Sequence, residues 1–327
     1  MRTLVTGGAG FIGSNLATAL AAEGRDVVAA DTFAEGHWTN LIDFARHGGD
    51  VLSLVNPVDV EAIRRLGPFE AIFHQAAVTG VIGPDGKADT SPDAERRILR
   101  NNLEQFRGLL DLAVEWGSSV VWASSCSVYG RGPVPMKESA EKDPLNVYAF
   151  SKVAKEALAD RYAPLLSYPP VGLRYSNVYG PGEDHKGRLA SMIHQLAKQM
   201  RAGRRPRIFE HGQQRRDFVY IADVVRANQL AEAAAREGRL EAGKGHVYNA
   251  GAGRSWSFND VVAELNAALG TKLEPDYFPN PFAFTQDHTE TDNSLAGEQI
   301  GYASQVDLAA GVRAYAKSGR LGVAGGA

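Results

Sequence analysis

The chain has a single cysteine, Cys126, in 327 residues, which excludes an internal disulfide and fits a reducing compartment. It lacks any run of about 18 apolar residues, the least a membrane-crossing helix needs. It also lacks an excess of one charge. Its 35 Lys and Arg against 38 Asp and Glu leave a net charge of −3 with both signs mixed, so no basic field points to nucleic acid. Internal repeats and low-complexity blocks are missing as well. The opening, MRTLVTGG, runs straight into a strand and turn without a signal-peptide pattern, and a cytoplasmic location is expected. No metal site is expected. What remains is a chain with 44% hydrophobic residues, enough for one large α/β unit or two unequal lobes.

The apolar runs alternate with helical spacings. RTLVTG reads as a strand, SNLATALAAEG as a helix stopped by Gly24, and DVVAAD as a second buried strand. FEAIFHQAA, SVVWASS and PVGLRYSNVYG read as further strands, LEQFRGLLDLAVEWG and VYAFSKVAKEALADRYA as the helices between them. Strands buried on both faces and linked by helices predict a parallel doubly wound sheet of Rossmann type. After Gly180 the alternation breaks. The expected division is a dinucleotide-binding domain over 1–176, with segments near 217–235 and 246–252 returning to it. A smaller interleaved C-terminal lobe, 177–216 and 253–320, would bind substrate over the carboxyl ends of the strands. The tail SGRLGVAGGA reads as frayed.

Between the first strand and helix lies TGGAGFIG. Gly7 and Gly10 allow a sharp turn and close approach to a pyrophosphate, and Gly13 allows the helix to pack on the sheet. The motif follows a strand and opens a helix, the context that gives it meaning. Asp31 ends the second strand and is placed to accept both ribose hydroxyls of an adenosine; the other reading is a turn acid. The next residues, TFAEGHW, hold no lysine or arginine to pair with a 2′-phosphate, so NAD is favoured, with NADP possible.

Tyr148 and Lys152 are four apart and share one helix face. A phenol is a poor base at neutral pH, and a neighbouring ammonium favours its ionised form. Ser124 and Ser125 end a strand upstream, where a hydroxyl can hold a substrate oxygen beside the phenol. On its own such a pair is surface chemistry; the glycine turn, the strand-end acid and the serine strand in order make it a catalytic candidate.

With TGGAGFIG, HQAA, WASSCSVYG, YAFSK, LRYSNVYGPG and RRDFVYIADVV in this order, the chain resembles the extended short-chain dehydrogenase/reductase (NAD-dependent epimerase/dehydratase) family over roughly residues 1–315. The resemblance implies an NAD(P)-dependent, oligomeric enzyme acting on a nucleotide sugar. It implies Tyr148 as acid/base, Lys152 as the ribose ligand that tunes it, and Ser125 on the reacting oxygen. It places Phe11, Ile12, Thr32, Gln75, Ala76, Ala77, Asn101 and Val178 along the cofactor, and Asn56 and Pro57 near the adenine, where the family usually has aspartate at the Asn56 position. Dehydratases of the family carry a carboxylate pair where this chain has Cys126, Ser127 and Val128, which argues against dehydration. No nucleophile chemistry surrounds Cys126, which reads as a packing residue. The helix segments NLEQFRGLLDLAVEWG and YAFSKVAKEALADRYA are where the family pairs its subunits.

Within the family, DTFAEGHWTNLIDF, GPDGK, GEDHKGRLAS, RIFEHG and FAFTQ look like the segments of the ADP-heptose 6-epimerases. That resemblance makes Lys186 a second acid/base. An exocyclic alcohol can be inverted by rotation about one bond, which swings its oxygen across the site, beyond the reach of one fixed base. Lys186 as a phosphate- or sugar-holding cation remains open. Thr79, Asn177, Phe209 and Arg216 are the other substrate candidates, Arg215 reads as a surface charge, and His185 is either a site group or a loop polar group. Arg188 stands where the heptose enzymes have serine and could meet a carboxylate. A UDP-sugar 4-epimerase, with a uronate as one substrate, is therefore the second reading. A non-catalytic dinucleotide-sensing protein is the third.

Overall fold

The computed structural model describes residues 1–56, 58–80, 89–279 and 287–323. Strands β1 (Arg2–Thr6), β2 (Asp26–Asp31), β3 (Asp50–Ser53), β4 (Ala71–His74), β5 (Ser119–Ser125) and β6 (Val171–Tyr175) form one sheet with the later strand His246–Ala250. All pairs are parallel, in the order His246–Ala250, β6, β5, β4, β1, β2, β3. The chain leaves β1 toward β2 and β3 on one side, then returns to lay β4, β5 and β6 on the other. That reversal opens a crevice between the carboxyl ends of β1 and β4, where ligands of such sheets bind.

Alternate residues of each strand feed separate cores, as the two-residue strand period requires. Leu4, Val28, Ile72, Val120 and Trp122 face one side with Phe106, Leu109, Leu110 and Ala113 of α4 (Pro92–Trp116). Val5, Val27, Ala29, Phe73 and Val121 face the other with Leu16, Ala17 and Leu20 of α1 (Phe11–Ala22). Short helices α2 (Ile42–Arg46) and α3 (Glu61–Arg64) sit on the β2–β4 connections. Helix α5 (Val147–Tyr162) packs beside α4. Helix α4 begins earlier than its apolar periodicity suggests, because Ser91 caps it through Ala94 N and Pro92 sits in its first turn.

After β6 come helices α6 (Met192–Arg201), α7 (Ile221–Arg236), α8 (Phe258–Leu269), α9 (Ser294–Ile300) and α10 (Leu308–Lys317). Of these, α7 returns to cover the sheet beside α1, and its Val224, Ala227 and Ala231 join that core. The smaller lobe has its own core of Tyr179, Ile193, Leu196, Phe218, Val261, Leu265, Val312, Tyr315 and Leu321. Leu321, fully buried, corrects the expectation of a frayed tail up to that point. Residues 324–327 lie outside the described residues. No helix among the described residues is long and apolar enough to cross a membrane.

Candidate active site

The glycine turn sits at the crevice, and the structure divides its labour. Gly7 carries the turn with φ +68, and a Cβ there would lie 2.7 Å from Ala76 N. A Cβ on Gly13 would lie 2.0 Å from Gly7 O, so this glycine lets α1 close on the turn itself. Gly10, expected to share the turn, has φ −76 and caps α1 without a side-chain bond, leaving first-turn N–H groups for an anion. Asp31 has the hydrogen bonds of a turn acid. Its carboxylate accepts Ala9 N at 2.9 Å and Phe33 N at 2.8 Å, fastening the turn to the end of β2 at the rim of the cleft.

That cleft is a cavity of about 790 Å³, within the range of cofactor sites. Gly7, Gly10, Phe11, Ile12, Gly13, Asp31, Thr32, Gln75, Ala76, Ala77, Thr79, Asn101, His185 and Lys186 all line it. Asn56 is not among the lining residues. Leu54 and Val55 are, while the Asn56 side chain turns back to accept Val58 N. Pro57 and the GPDGK and FAFTQ segments lie outside the described residues. The narrow glycine cradle, a helix N-terminus and a carboxylate without a neighbouring cation on its own loop fit an NAD-type dinucleotide. Among the described residues, no cluster of three His, Cys, Asp or Glu side chains could hold a metal ion.

The phenol and its partners stand at the ends of β5 and α5. Asn146 caps α5 through Ala149 N, which presents Tyr148 in the first turn and Lys152 one turn later. Lys152 Nζ lies 5.3 Å from the Tyr148 ring centre and donates to Ala123 O at 2.8 Å. Tyr148 is hydrogen-bonded to Ser125. Burial pushes the phenol up to about 12, against the opposite pull of the Ser125 bond. The same burial pushes Lys152 down to about 7. The expected lowering of the phenol by its lysine is therefore outweighed in this environment by loss of water. Ser124 does not share the role of Ser125, since its hydroxyl donates to buried Glu156. Glu156 also receives two 2.8 Å bonds from Arg174 and one from Lys142, a charged network just beneath the serine strand. The Cys126 thiol, raised by burial, donates to Arg174 O and packs there.

Lys186 arrives from the other side, on the 3-10 segment Asp184–Leu189 after the strand Asn177–Tyr179. Its Nζ lies 5.5 Å from the Phe11 ring centre, and burial lowers its pKa against the opposing fields of Glu183 and Glu35. His185 is also lowered by burial and lies 3.1 Å from Asn40. Arg188 is exposed two residues on. Asn177 spends its amide on Asp217 O and Thr289 Oγ1, and Val178 pairs with Val219. Phe209 packs edge-on against Phe278. Arg216, half-buried over Phe258, donates to Arg215 O; Arg215, expected as a plain surface charge, is bonded to Ser255. Ser125, Tyr148, Lys152, Asn177, Val178, Arg188, Phe209 and Arg216 do not line the 790 Å³ cavity.

Four residues that sequence reasoning missed shape the cleft. Asn102, buried beside Asn101, holds both N and O of Val78 and reaches Ser151, fixing the strand-end loop that carries Gln75 to Thr79. Asn40 touches Ala9 O and Gly182 O, bridging the glycine turn and the Lys186 loop. Glu35 and Arg97 line the cavity and attract one another. The doubled asparagine in α4 was the only signal available for any of them.

A doubly wound parallel sheet, a glycine turn at its switch point and a phenol–lysine pair beside a serine strand define a dinucleotide-dependent enzyme of Rossmann type. A profile of the NAD dependent epimerase/dehydratase family matches residues 3–251, and the chain belongs to that family. An ADP-L-glycero-D-manno-heptose-6-epimerase from Alkalilimnicola ehrlichii is 36% identical over 331 residues, 95% of each chain. The crystal structure of the Helicobacter pylori ADP-L-glycero-D-manno-heptose-6-epimerase is 34% identical with a TM-score of 0.83, covering 97% of this chain and 95% of that one. UDP-glucuronic acid 4-epimerase from Bacillus cereus, solved with UDP-glucuronic acid and NAD, is 26% identical with a TM-score of 0.80, over 97% and 98%. Membership makes this an enzyme of an NAD(P)-dependent sugar-epimerase family and removes the sensor reading.

Proposed function

We propose that this enzyme is a cytoplasmic ADP-glycero-manno-heptose 6-epimerase that inverts a secondary alcohol by transient oxidation and re-reduction. The observation that carries the reading is the second amine, Lys186, half-buried at the cofactor cleft on a loop separate from Tyr148. The A. ehrlichii and H. pylori relatives support it.

A nicotinamide dinucleotide bound in the glycine cradle would supply reversible hydride chemistry at the alcohol carbon. Gly7, Gly13 and the α1 N-terminus would hold its pyrophosphate, Asp31 its adenosine ribose, and Lys152 the ribose next to its redox ring. As a phenolate, the form that the positive ring of a bound dinucleotide would favour against burial, Tyr148 would take the hydroxyl proton as the carbon becomes a ketone, with Ser125 holding that oxygen. Rotation about the exocyclic bond turns the other face of the ketone toward the cofactor. Lys186, protonated at the outset, would then give a proton to the oxygen in its new position, and the proton held by Tyr148 would pass back to Lys186 through solvent before the next turnover. No net oxidation results. Residues 1–176 with 217–235 and 246–252 serve the cofactor; 177–216 and 253–320 serve the sugar nucleotide, with Thr79, Asn177, Phe209 and Arg216 along it. The pairing of α4 with α5 leaves Phe150 and Val114 exposed, a surface suited to a second copy of the chain.

A UDP-uronate 4-epimerase is the second reading, favoured by exposed Arg188 and the B. cereus relative. The test is direct. Purified enzyme is given ADP-glycero-manno-heptose, UDP-glucose and UDP-glucuronic acid separately, and epimers are followed by NMR. Inversion of the ADP-heptose at C6 alone is expected; turnover confined to UDP-glucuronic acid would replace the first reading with the second.

A further inference from the structure

Lys186 sits on a segment with little strength of its own. Asp184–Leu189 is a 3-10 stretch broken at Gly187 (φ 54, ψ −117), so the lysine is held in place from outside. Its flanks are anchored by Glu183, fully buried, which accepts Gly180 N at 3.2 Å and Ser191 Oγ at 2.9 Å, and by Asn15, which donates to Pro181 O. The segment itself is tied by Gln195, which donates to Arg188 O, by Asn40 at His185, and by a guanidinium that joins two of these parts. Arg320 Nη2 lies 2.6 Å from Asp184 Oδ1 and donates to Asn40 Oδ1 at 2.7 Å. The Asn40 amide nitrogen in turn lies 3.1 Å from Ala9 O in the glycine turn, from Gly182 O and from His185 Nδ1.

We propose that Arg320 is a positioning residue for Lys186, clamping the lysine's loop to the dinucleotide turn through Asp184 and Asn40. This rests on the reading of Lys186 as a working site residue. An exposed ion pair would carry little weight. Here the Asp184 side chain is only 12% exposed, and the guanidinium pairs its charge with Asp184 while donating to Asn40 on a different segment. Arg320 is also placed with precision for so late a residue. Leu321 plugs the lobe core, and Gly322 N bonds to His194 Nδ1, which fixes the backbone on its far side. The last turn of the chain thus sets where a proton-moving group from the middle of the chain meets the cofactor's turn.

The test uses the full NAD-loaded enzyme with Arg320→Gln, Arg320→Lys and Lys186→Met. Amide hydrogen exchange over 183–190 reports the loop without any sugar. Steady-state kinetics use the nucleotide sugar that the NMR panel identifies. Arg320→Gln is expected to speed exchange at 183–190 and to lower kcat about 10- to 100-fold, the scale of a small misplacement of a reacting group, with KM changed by less than about threefold. Arg320→Lys, keeping the charge without the fork, recovers part of both. Wild-type exchange in Arg320→Gln overturns the clamp, whatever happens to kcat. Faster exchange with unchanged kcat overturns the positioning role. Full turnover by Lys186→Met is the separate failure of the reading beneath it, and exchange in Arg320→Gln then still decides whether the clamp exists.

Discussion

Two lysines stand on the two sides of the proposed site, and the chain holds them by opposite means. Lys152 rides in the middle of a 16-residue helix, almost fully buried, with its Nζ bonded to Ala123 O and set beside Tyr148 by helical geometry alone. Lys186 rides on a broken 3-10 turn, half-buried, and reaches the cleft because distant residues tie its loop. The first arrangement tolerates change in its surroundings because the helix supplies the geometry. The second delegates its geometry to contacts from Asn40 and Arg320, far away in sequence. Rigid chemistry is encoded locally here, and adjustable chemistry at long range.

The largest expected effect tests the rigid side. Tyr148→Phe removes the phenolic proton carrier and should cost about 10²- to 10⁴-fold in kcat, while NAD binding, measured by titration calorimetry, stays near wild type. A loss within tenfold would erase the contrast, since Tyr148 would then matter no more than a loop residue. The next effect concerns the ground under the helix. Arg174 and Glu156 form a buried pair, 2% and 4% exposed, and Glu156→Gln leaves the guanidinium without its counter-charge. Breaking such a pair costs about 3–5 kcal/mol, so denaturant unfolding should show that loss. An unchanged midpoint would mean that the bonds of Arg174 to Tyr129 Oη and Glu138 O hold this region without the pair.

The same division explains what the sequence revealed. The glycine turn, Asp31, Ser125, Tyr148 and Lys152 were legible because each sits at a strand end or at helical spacing, where local order in the sequence becomes order in space. The sheet was legible for the same reason, apart from the early start of α4 at Ser91 and Pro92. Asn40, Glu35, Arg97 and Arg320 were not. Asn40, Glu35 and Arg320 lie on short turns and loops and Arg97 inside α4, without a motif around any of them, and only the fold brings Arg320 to Asn40. Asn56 shows the converse case: a position assigned by resemblance whose side chain is bonded to its own turn. The electrostatics were hidden as well. A lysine one turn from a phenol suggests a lowered phenol, but burial, invisible in a short motif, dominates both groups.

The smallest effect sharpens the comparison through a third lysine. Lys155, one turn beyond Lys152, is fully buried between Phe106 and Trp122, at 4.6 and 5.5 Å from their ring centres, and its Nζ has no hydrogen-bond partner among the described residues. Lys186 has Glu183 and Glu35 to offset its loss of water; Lys155 meets only aromatic faces, the neighbouring Lys152 and His74. Burial therefore drives Lys155 well below its usual value. In the unfolded chain this amine stays protonated to about pH 10.4, so between its folded value and that pH the unfolded state binds the extra proton. Folding is penalised most at low pH, and the penalty fades as pH rises toward about 10.4. Lys155→Met, similar in length and apolar, removes it. The variant should melt about 2–4 °C higher at pH 7 for each kcal/mol relieved, and the gain should shrink by pH 10. A variant that melts lower at pH 7, or one whose gain is the same at both pH values, would mean that the aromatic faces carry Lys155 as a stabilised cation.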